Sequence, residues 1–482
     1  MKQVPLLLLS LLFLSVFSIG AHKQEVFGRS YMFLRPADAH LLAHNFIWLE
    51  PVYAQEGNLK GTASANLFFH RTIKQEKNAR YFLINGKTEL LVAGDNDRLA
   101  FMRDVRAEWL NLPSNFAGTL TLQPTQKQAG VIVEYNQKLS KFIPCGLFEH
   151  LQVGIRLPVI HVVHNLHLAQ KDVRNGGPTS LIDAFNQESW LYGKMVNKQS
   201  KTGVGDITLY LDSAFTAEDH TIIAYHSGIV IPAAPEADSE FIFSPQLGNN
   251  HRLAVTGGID FQLLLNRCPV PMAACFFMSL DATYFLRTHR HRTFDLKSVD
   301  RQDEGRPWSR FLLFNTPQNP AQRNIPGVNV LTRRAHIRPQ GMAEFAVGWR
   351  FIYEYCGWEF GYSVWGHDSE RIKDIEDDNQ TVYGIAAPSA SLLDAPQTAS
   401  TSTIATLGAT DATFVPITDK DIHLESGAAG SAINHTFYVG ANGNYEGEGF
   451  SSYFGANGFV EWPQKNAALM LWGINLKYSA AF

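Results

Sequence analysis

The sequence predicts an all-β fold, a transmembrane antiparallel β-barrel of about 12 to 14 strands with long loops at one end and one short loop helix. Three observations lead to this fold class. Apolar and polar residues alternate along many segments of strand length, and the connections between these segments are alternately long and short. After the N-terminal segment, no apolar run is long enough to form a membrane-spanning helix.

The N-terminus has the pattern of an export signal. Lys2 precedes the apolar run VPLLLLSLLFLSVF, and small residues up to Ala21 follow this run directly. We therefore expect residues 1–20 to be a cleaved signal peptide and residues 21–482 to form one barrel domain. A retained anchor helix is disfavoured, because polar residues follow at once and no positively charged flank is present.

The C-terminal segment NAALMLWGINLKYSAAF shows the alternation most clearly. Its apolar or small positions are Met470, Trp472, Ile474, Leu476, Tyr478, Ala480 and Phe482. A period of two indicates a strand with one apolar face. The same pattern recurs at residues 151–157, 206–212, 252–263, 278–284, 344–354 and 358–364, and more weakly at 61–70, 116–122, 129–138, 220–232, 434–445 and 451–462.

A water-soluble β-sandwich would also show alternating strands. Two features favour a membrane barrel instead. Glycines and charges of both signs occupy the polar face, as expected for a lumen. Aromatic residues stand at the ends of the apolar stripes, as an interfacial girdle requires; they are Tyr135, Tyr353, Trp462, Tyr478 and Phe482.

Connection lengths give an independent indication. The predicted outward links are 158–203, 233–250, 288–340, 367–433 and 463–466, and the intervening links are 139–146, 215–219, 265–274, 354–356 and 446–450. Long extracellular loops and short periplasmic turns produce this alternation. Our count gives thirteen strands where an even number is expected, so one segment within residues 22–142 is misassigned. Residues 71–115, with the turn signal Asn85-Gly86, are either barrel wall or a small cap.

The signal peptide, the striped strands and the terminal Phe482, preceded by Tyr478 and Gly473, resemble those of Gram-negative outer-membrane β-barrel proteins. The resemblance implies that the cell outer membrane is the location and that the last strand is the insertion signal. It also implies membrane lipids, lipopolysaccharide and the barrel-insertion machinery as partners. The segment TGVGDITLYL is similar to a strand start in outer-membrane proteins proposed to move hydrophobic compounds.

The predicted inward face carries charges of both signs. The candidate pore-lining residues are Arg156, Asp206, Asp212, Arg252, Asp260, Asp281, Arg287, Glu344, Arg350, Glu354, Glu359 and Lys477. A barrel of this size should hold a narrow lumen, so we expect a channel for passive diffusion of small solutes. The alternatives are a structural or adhesive surface protein with a plugged lumen and, less favoured, a hydrolase at the barrel rim.

One loop segment has an amphipathic pattern. Residues 178–195 contain a capping Thr179 or Ser180 followed by spaced apolar residues, which predicts a short helix. This helix either folds into the barrel mouth and constricts it or lies over the rim.

The sequence predicts no enzyme, cofactor, metal site or nucleic-acid partner. Lys and Arg number 41 against 45 Asp and Glu, and this net charge of -4 gives no basis for binding nucleic acid. No nucleophile elbow, HExxH, P-loop or dinucleotide motif is present. Two histidine clusters make a metal site conceivable but disfavoured. His161, His164 and His167 are three residues apart, a spacing that points alternate members to opposite faces of a strand, and His289 and His291 form the second cluster.

The four cysteines, Cys145, Cys268, Cys275 and Cys356, fall in or beside links assigned to the periplasmic side. In an oxidising compartment Cys268 and Cys275 could close a hairpin turn. Two packed free thiols are the equally weighted alternative.

Overall fold

A computed structural model describes most of the chain. The described residues are 28–41, 61–73, 76–83, 86–139, 150–217, 221–265, 272–297, 308–314, 316, 324–353, 355–376, 381–386, 414–447, 450–464 and 467–482. The expected signal peptide, Glu354, Cys145 and Cys268 lie outside these residues.

Twelve long strands form the barrel. They are β1 Gly61–Thr72, β2 Thr125–Lys138, β3 His150–Asn165, β4 Ile207–Ala217, β5 Thr221–Ile231, β6 Ala254–Leu264, β7 Met272–Phe285, β8 Gln340–Tyr353, β9 Cys356–His367, β10 Ala432–Gly447, β11 Phe450–Pro463 and β12 Leu471–Ala481.

These strands form a closed antiparallel ring. Strand β1 pairs with β2 on one side and with β12 on the other, so that Leu67 lies opposite both Val131 and Leu476. Closure gives the backbone groups of every wall strand a partner, which a lipid environment requires. The predicted fold class, a closed antiparallel barrel, is confirmed.

A thirteenth strand, Lys198–Val204, joins the same sheet by pairing with the second half of β3. Strand β3 changes partner beside Pro158, from β4 to this short strand. The assignment of residues 116–122 to the barrel wall was wrong. They form the strand Ala117–Thr121 of a separate small sheet, where half-burial produces the same period of two.

The two ends of the barrel differ, as the connection lengths predicted. We call them the short-turn end and the long-loop end. At the short-turn end the gaps between described strands β4 and β5, β8 and β9, and β10 and β11 are a few residues long. The ends of β1 and β12 meet there, and the Phe482 and Gly61 backbones exchange two hydrogen bonds of 3.0 Å. The predicted link 158–203 begins too early, because β3 continues to Asn165.

The wall has an apolar outer face and a polar inner face. Along β12, Ile474, Leu476 and Tyr478 are exposed, whereas Asn475 and Lys477 between them are buried. Burial follows the side-chain period of a strand. The exposed apolar stripes on the outside of a closed barrel are the surface that a bilayer covers.

The connections at the long-loop end fold into a cap. A four-stranded sheet contains Glu89–Ala93, Val105–Arg106, Ala117–Thr121 and Ala169–Arg174, and a three-stranded sheet contains Thr288–Thr293, Thr332–Ile337 and Ile372–Ile375. Two-stranded pairs are Asp295–Leu296 with Ile422–His423, Leu313–Phe314 with Ile325–Pro326, and Gly384–Ala386 with Phe414–Pro416. Among the described residues, the α-helices are Leu181–Ala184 and Gly327–Leu331, and the 3-10 helices are Glu76–Tyr81, Ala107–Leu110, Ser309–Phe311, Asp419–Asp421 and Leu424–Gly427, with Ala37–Ala39 outside the cap.

The main hydrophobic core lies in this cap and not between the barrel walls. Trp109, Trp190, Phe294 and Phe311 are buried in it, and the rings of Trp190 and Phe311 stack at 5.6 Å. Burial of large aromatic side chains is a major source of stability, so the cap is a folded layer over the barrel mouth. No helix of the described residues is long and apolar enough to cross a membrane.

Candidate functional site inside the barrel

Residues 28–41, with the sequence GRSYMFLRPADAHL, run from the cap into the barrel lumen. We call them the plug segment. All of them are buried except Ala39, which is half-buried. The segment begins against the cap, where the Gly28 carbonyl accepts a hydrogen bond of 2.7 Å from Arg310. A Cβ atom at Gly28 would lie 2.0 Å from the Phe82 carbonyl oxygen, so only glycine fits this approach.

The cap holds the first half of the plug segment. Ser30 donates to the Thr293 carbonyl at 2.5 Å, and the Tyr81 hydroxyl donates to the Tyr31 carbonyl at 2.7 Å. The Arg292 guanidinium lies 3.6 Å from the centre of the Tyr31 ring. These contacts join the plug segment to strands and loops that are far away in the sequence.

Arg292 belongs to a buried charge cluster at the top of the lumen. Glu370 lies 3.5 Å from Arg292 and 3.4 Å from Arg252. Burial raises the pKa of Glu370. The charges of Arg292 and Arg252 lower it by a larger amount in total, so the pKa lies below its ordinary value. The Glu370 carboxylate therefore stays ionised and fixes both guanidiniums.

The second half of the plug segment is anchored to the barrel wall by Arg35. Its guanidinium contacts Glu344 of β8 directly and lies 3.1 Å from Glu461 of β11. The Leu41 amide also donates to Glu344, at 2.8 Å, and Ser363 donates to the other carboxylate oxygen at 2.8 Å. Both carboxylates are thus paired and hydrogen-bonded, as buried charges must be.

We expect Arg35→Ala to lower the free energy of unfolding by about 3–5 kcal/mol, because it leaves Glu344 and Glu461 buried without their cation. The measurement is urea-induced unfolding followed by tryptophan fluorescence. Trp365 is a suitable reporter, since Arg35 lies 5.3 Å from its ring.

The matched control for this variant combines Arg35→Ala with Glu344→Gln and Glu461→Gln. Removing all three charges avoids the uncompensated buried carboxylates, so this combination should recover part of the lost stability. An unchanged unfolding midpoint in Arg35→Ala would contradict the anchoring role.

Beyond the plug segment the lumen is a polar space that reaches toward the short-turn end. Two adjoining spaces of about 520 and 650 Å³ share Arg156, Thr208, Thr256 and Asp281 as lining residues. The plug residue Asp38 lines the first of them, and Ser479 of β12 lines the second. The plug segment therefore borders one end of this polar space.

Charges in this space form pairs between strands of the wall, some adjacent and some separated by one strand. Glu134 contacts Arg156, and Lys477 lies 3.6 Å from the second oxygen of Glu134. His226 of β5 lies 3.3 Å from Asp281 of β7. A wall of paired opposite charges hydrates a passage without giving it a single sign.

The structure places most of the predicted pore-lining residues on the inner side. The buried ones are Asp206, Asp212, Arg252, Asp260, Glu344, Arg350, Glu359 and Lys477, and the half-buried ones are Arg156 and Asp281. Arg350 and Glu359 pair with each other at 2.9 Å. Arg287 is exposed beyond the end of β7, since the strand ends at Phe285. Glu354 lies outside the described residues.

Asp206, in the Gly-x-Gly-Asp stretch, holds a loop. Its carboxylate accepts hydrogen bonds from the Ala234 amide at 3.1 Å and from the Asn249 amide at 2.6 Å. A Cβ atom at Gly248 would lie 2.6 Å from an Asp206 carboxylate oxygen. This stretch therefore fixes the connection between β5 and β6 against the lumen wall.

The predicted helix within residues 178–195 does not enter the lumen. Only Leu181–Ala184 is helical, with Ser180 as its N-cap. Phe185 and Trp190 are buried in the cap core, so the apolar side of this segment packs on the cap. The segment lies over the rim, and the lumen is occupied by the plug segment, which the sequence analysis did not single out.

The terminal-strand residues lie on different faces. Tyr478 and Phe482 are exposed on the outer surface, about half of each side chain being accessible. Gly473 points inward, where an added Cβ atom would lie 2.5 Å from His70 and 2.6 Å from Phe459. Gly473 therefore permits close packing of these rings, and an insertion signal stays a prediction for all three residues.

The histidines of HVVHNLHL are not brought together. His161 is exposed and lies 2.7 Å from Thr202, whereas His164 is buried and stacks on Phe243 at 4.3 Å. His167 has a positive φ of 46° and lies 3.0 Å from Thr125. Neighbouring strand positions face opposite sides, which separates these side chains.

Cys275 is buried in β7, and Cys356 is exposed at the start of β9. Because Cys268 lies outside the described residues, the two alternatives for it and Cys275, a disulfide or two packed thiols, both stay open.

No protein-family model and no curated protein matches this sequence. Several solved structures are similar to it. An outer membrane channel from Pseudomonas putida F1 has a TM-score of 0.38 and 11% identity, covering 89% of this chain and 97% of that chain. The transport unit of the autotransporter AIDA-I from Escherichia coli has a TM-score of 0.32 and 8% identity, covering 92% and 95%.

A third similar structure is a Pseudomonas aeruginosa FadL homologue, with a TM-score of 0.29 and 8% identity, covering 96% of this chain and 98% of that chain. These likenesses are distant. The closed twelve-stranded ring itself shows that the predicted architecture, a transmembrane antiparallel β-barrel, is correct.

Proposed function

We propose that this protein lies in the outer membrane and lets small polar solutes cross it through a passage that the plug segment closes. The observation that carries the proposal is the position of residues 28–41, buried in a closed barrel above a polar lumen. The lumen offers a route across the bilayer, because the described wall strands pair into a closed ring around it.

The outer surface supports the membrane location. Exposed side chains at alternate wall positions are large and apolar, and they come from strands all round the ring; examples are Leu67, Val153, Leu211, Val255, Phe360, Val439 and Leu476. A contiguous apolar band of this kind is stable in hydrocarbon and unfavourable in water.

The inner surface supports a polar solute. Thr62, Ser64, Asn136 and Ser479 line the passage together with paired charges. Such side chains keep a narrow lumen hydrated and offer hydrogen bonds to a passing solute. Passive diffusion of small hydrophilic molecules is the transport mode that this lining favours.

A lumen filled by the plug segment also fits a second candidate function. In it, the protein is a surface protein whose barrel only anchors a binding cap. The specific observation in its favour is the cap core, which covers the long-loop end of the lumen. Solute flux separates the two functions, because an anchor needs no passage.

The experiment compares the unmodified protein with Arg35→Ala in liposome swelling assays with small neutral sugars. Loss of the Arg35 anchor should raise the swelling rate for small sugars and leave large oligosaccharides excluded, because the wall still limits the diameter. If Arg35→Ala is destabilised and yet gives no swelling, the anchored-cap function replaces the channel.

A further inference from the structure

The three-stranded sheet of the cap carries a cluster of metal-binding side chains that is separate from the lumen. His289 lies directly opposite His336 on the neighbouring strand, and their ring centres are 4.0 Å apart. Glu376 follows the third strand, and its amide donates to the Arg334 carbonyl at 2.8 Å. Three neighbouring chain segments therefore contribute one side chain each.

The three side chains converge on one point. His336 Nε2 lies 3.3 Å from Glu376 Oε1, and His289 Nδ1 contacts the same oxygen. One ligand atom from each of the three residues lies within 4.8 Å of the other two. Ligand atoms around a tetrahedral zinc ion are roughly 3.3 Å apart, since each bond is about 2.0–2.1 Å long. Small side-chain rotations suffice to place an ion between them.

Neighbouring residues orient two of the three ligand atoms, His336 Nε2 and Glu376 Oε1. Asp374 contacts His336 Nδ1, which leaves Nε2 directed at Glu376. Arg334 lies 3.5 Å from Glu376 Oε2, which leaves Oε1 for the cluster. Carboxylate–imidazole contacts of this type fix the ring and increase the basicity of a ligating histidine.

We propose that His289, His336 and Glu376 bind a divalent transition-metal ion of the Zn²⁺ class. Two imidazole nitrogens and one carboxylate oxygen suit Zn²⁺, whereas Ca²⁺ and Mg²⁺ require oxygen ligands. Solvent reaches the site, because the side chains of His289 and His336 are 41% and 35% exposed. Water can complete the coordination.

The strand that carries His289 on its outer side also contacts the plug segment from its inner side. Strand Thr288–Thr293 presents His289 and His291 outward and Arg290 and Arg292 inward. Arg292 lies over the Tyr31 ring of the plug segment. A bound ion would link three strands of the sheet whose inner side holds the plug segment.

The test is calorimetric titration of Zn²⁺ into untagged, chelator-treated full-length protein in detergent. We expect one equivalent to bind through this site. His289→Ala and His336→Ala should each weaken it by roughly 100-fold or more, and Asp374→Asn by about 10–100-fold. Mg²⁺ and Ca²⁺ should give no heat at the same concentrations.

His291→Ala is the matched control, since this histidine lies on the same strand and stacks on Tyr192 at 6.0 Å instead of joining the cluster. It should bind Zn²⁺ like the unmodified protein. Glu376→Gln keeps the side-chain size and should also weaken Zn²⁺ binding. This variant replaces an alanine variant that does not assemble. Unchanged Zn²⁺ affinity in His289→Ala/His336→Ala, or no Zn²⁺ binding by the correctly assembled protein, overturns the proposal.

Discussion

Deleting residues 28–41 will convert a protein that gives rare, small conductance steps into one that gives stable steps several times larger. The plug segment occupies the lumen and is held by Arg35 between Glu344 and Glu461. Its removal empties the part of the lumen between the hydrophilic space and the cap, which widens the route for ions. The measurement is single-channel recording in planar bilayers, with residue 27 joined to residue 42.

A substitution tests the same idea without shortening the chain. Arg35→Glu places a third carboxylate beside Glu344 and Glu461, and repulsion between the three should expel the plug segment. Phe101→Glu is the control, because Phe101 is 81% exposed and lies outside the lumen lining described here. If neither the deletion nor Arg35→Glu conducts although both assemble, the channel function is wrong.

The open passage should also change its ion preference when Arg156 is neutralised. Arg156→Gln in the deleted protein removes one cation beside Glu134 and keeps Lys477, which lies 3.6 Å from it. The lining becomes more negative, so the reversal potential in a salt gradient should shift toward cation preference. Arg252 lies above the passage and pairs with Glu370. Neutralising Arg252 would therefore disturb the contacts with the cap and would not report on ion preference in the passage.

Loss of the last residue should abolish assembly. Phe482 exchanges two backbone hydrogen bonds with Gly61 where the ring closes, and its side chain is exposed on the outer surface. We expect removal of Phe482, or Tyr478→Asp with Phe482→Asp, to leave exported protein unassembled. The measurement is outer-membrane fractionation, carbonate extraction and the mobility of unboiled samples on denaturing gels.

Phe450→Asp is the matched control for the terminal strand. Phe450 is also exposed, at the short-turn end of the adjacent strand β11. A carboxylate there costs little near the membrane surface, so this variant should assemble. Equal assembly of all variants would show that the terminal stripe is an ordinary strand. Recovery of the unmodified protein as a soluble periplasmic species would contradict the membrane location.

The strands of the wall could be predicted from the sequence, because the alternation of apolar and polar residues within one strand reflects which of its two faces is exposed. In β12 the residues Ile474 to Lys477 alternate between exposed and buried, and this alternation needs no knowledge of other strands. The same local signal misassigned residues 116–122, since a half-buried strand of the cap sheet alternates in the same way.

The contents of the lumen could not be predicted in this way. The plug segment has no period of two or 3.6, and its partners are distant: Arg35 is 309 positions from Glu344 and 426 from Glu461. The metal cluster poses the same problem, since His289 meets Glu376 across 87 positions. Only the register of the folded sheets brings such residues together.

The direction of the plug segment imposes an order on biogenesis. Gly28 lies in the cap, Leu41 lies beside Glu344 within the ring, and Gly61 starts β1 at the opposite end, where it meets Phe482. A ring sealed between β1 and β12 before the plug segment was inside would need that segment to be threaded through it, a step that folding chains avoid. The seam is therefore expected to close around a chain already in place.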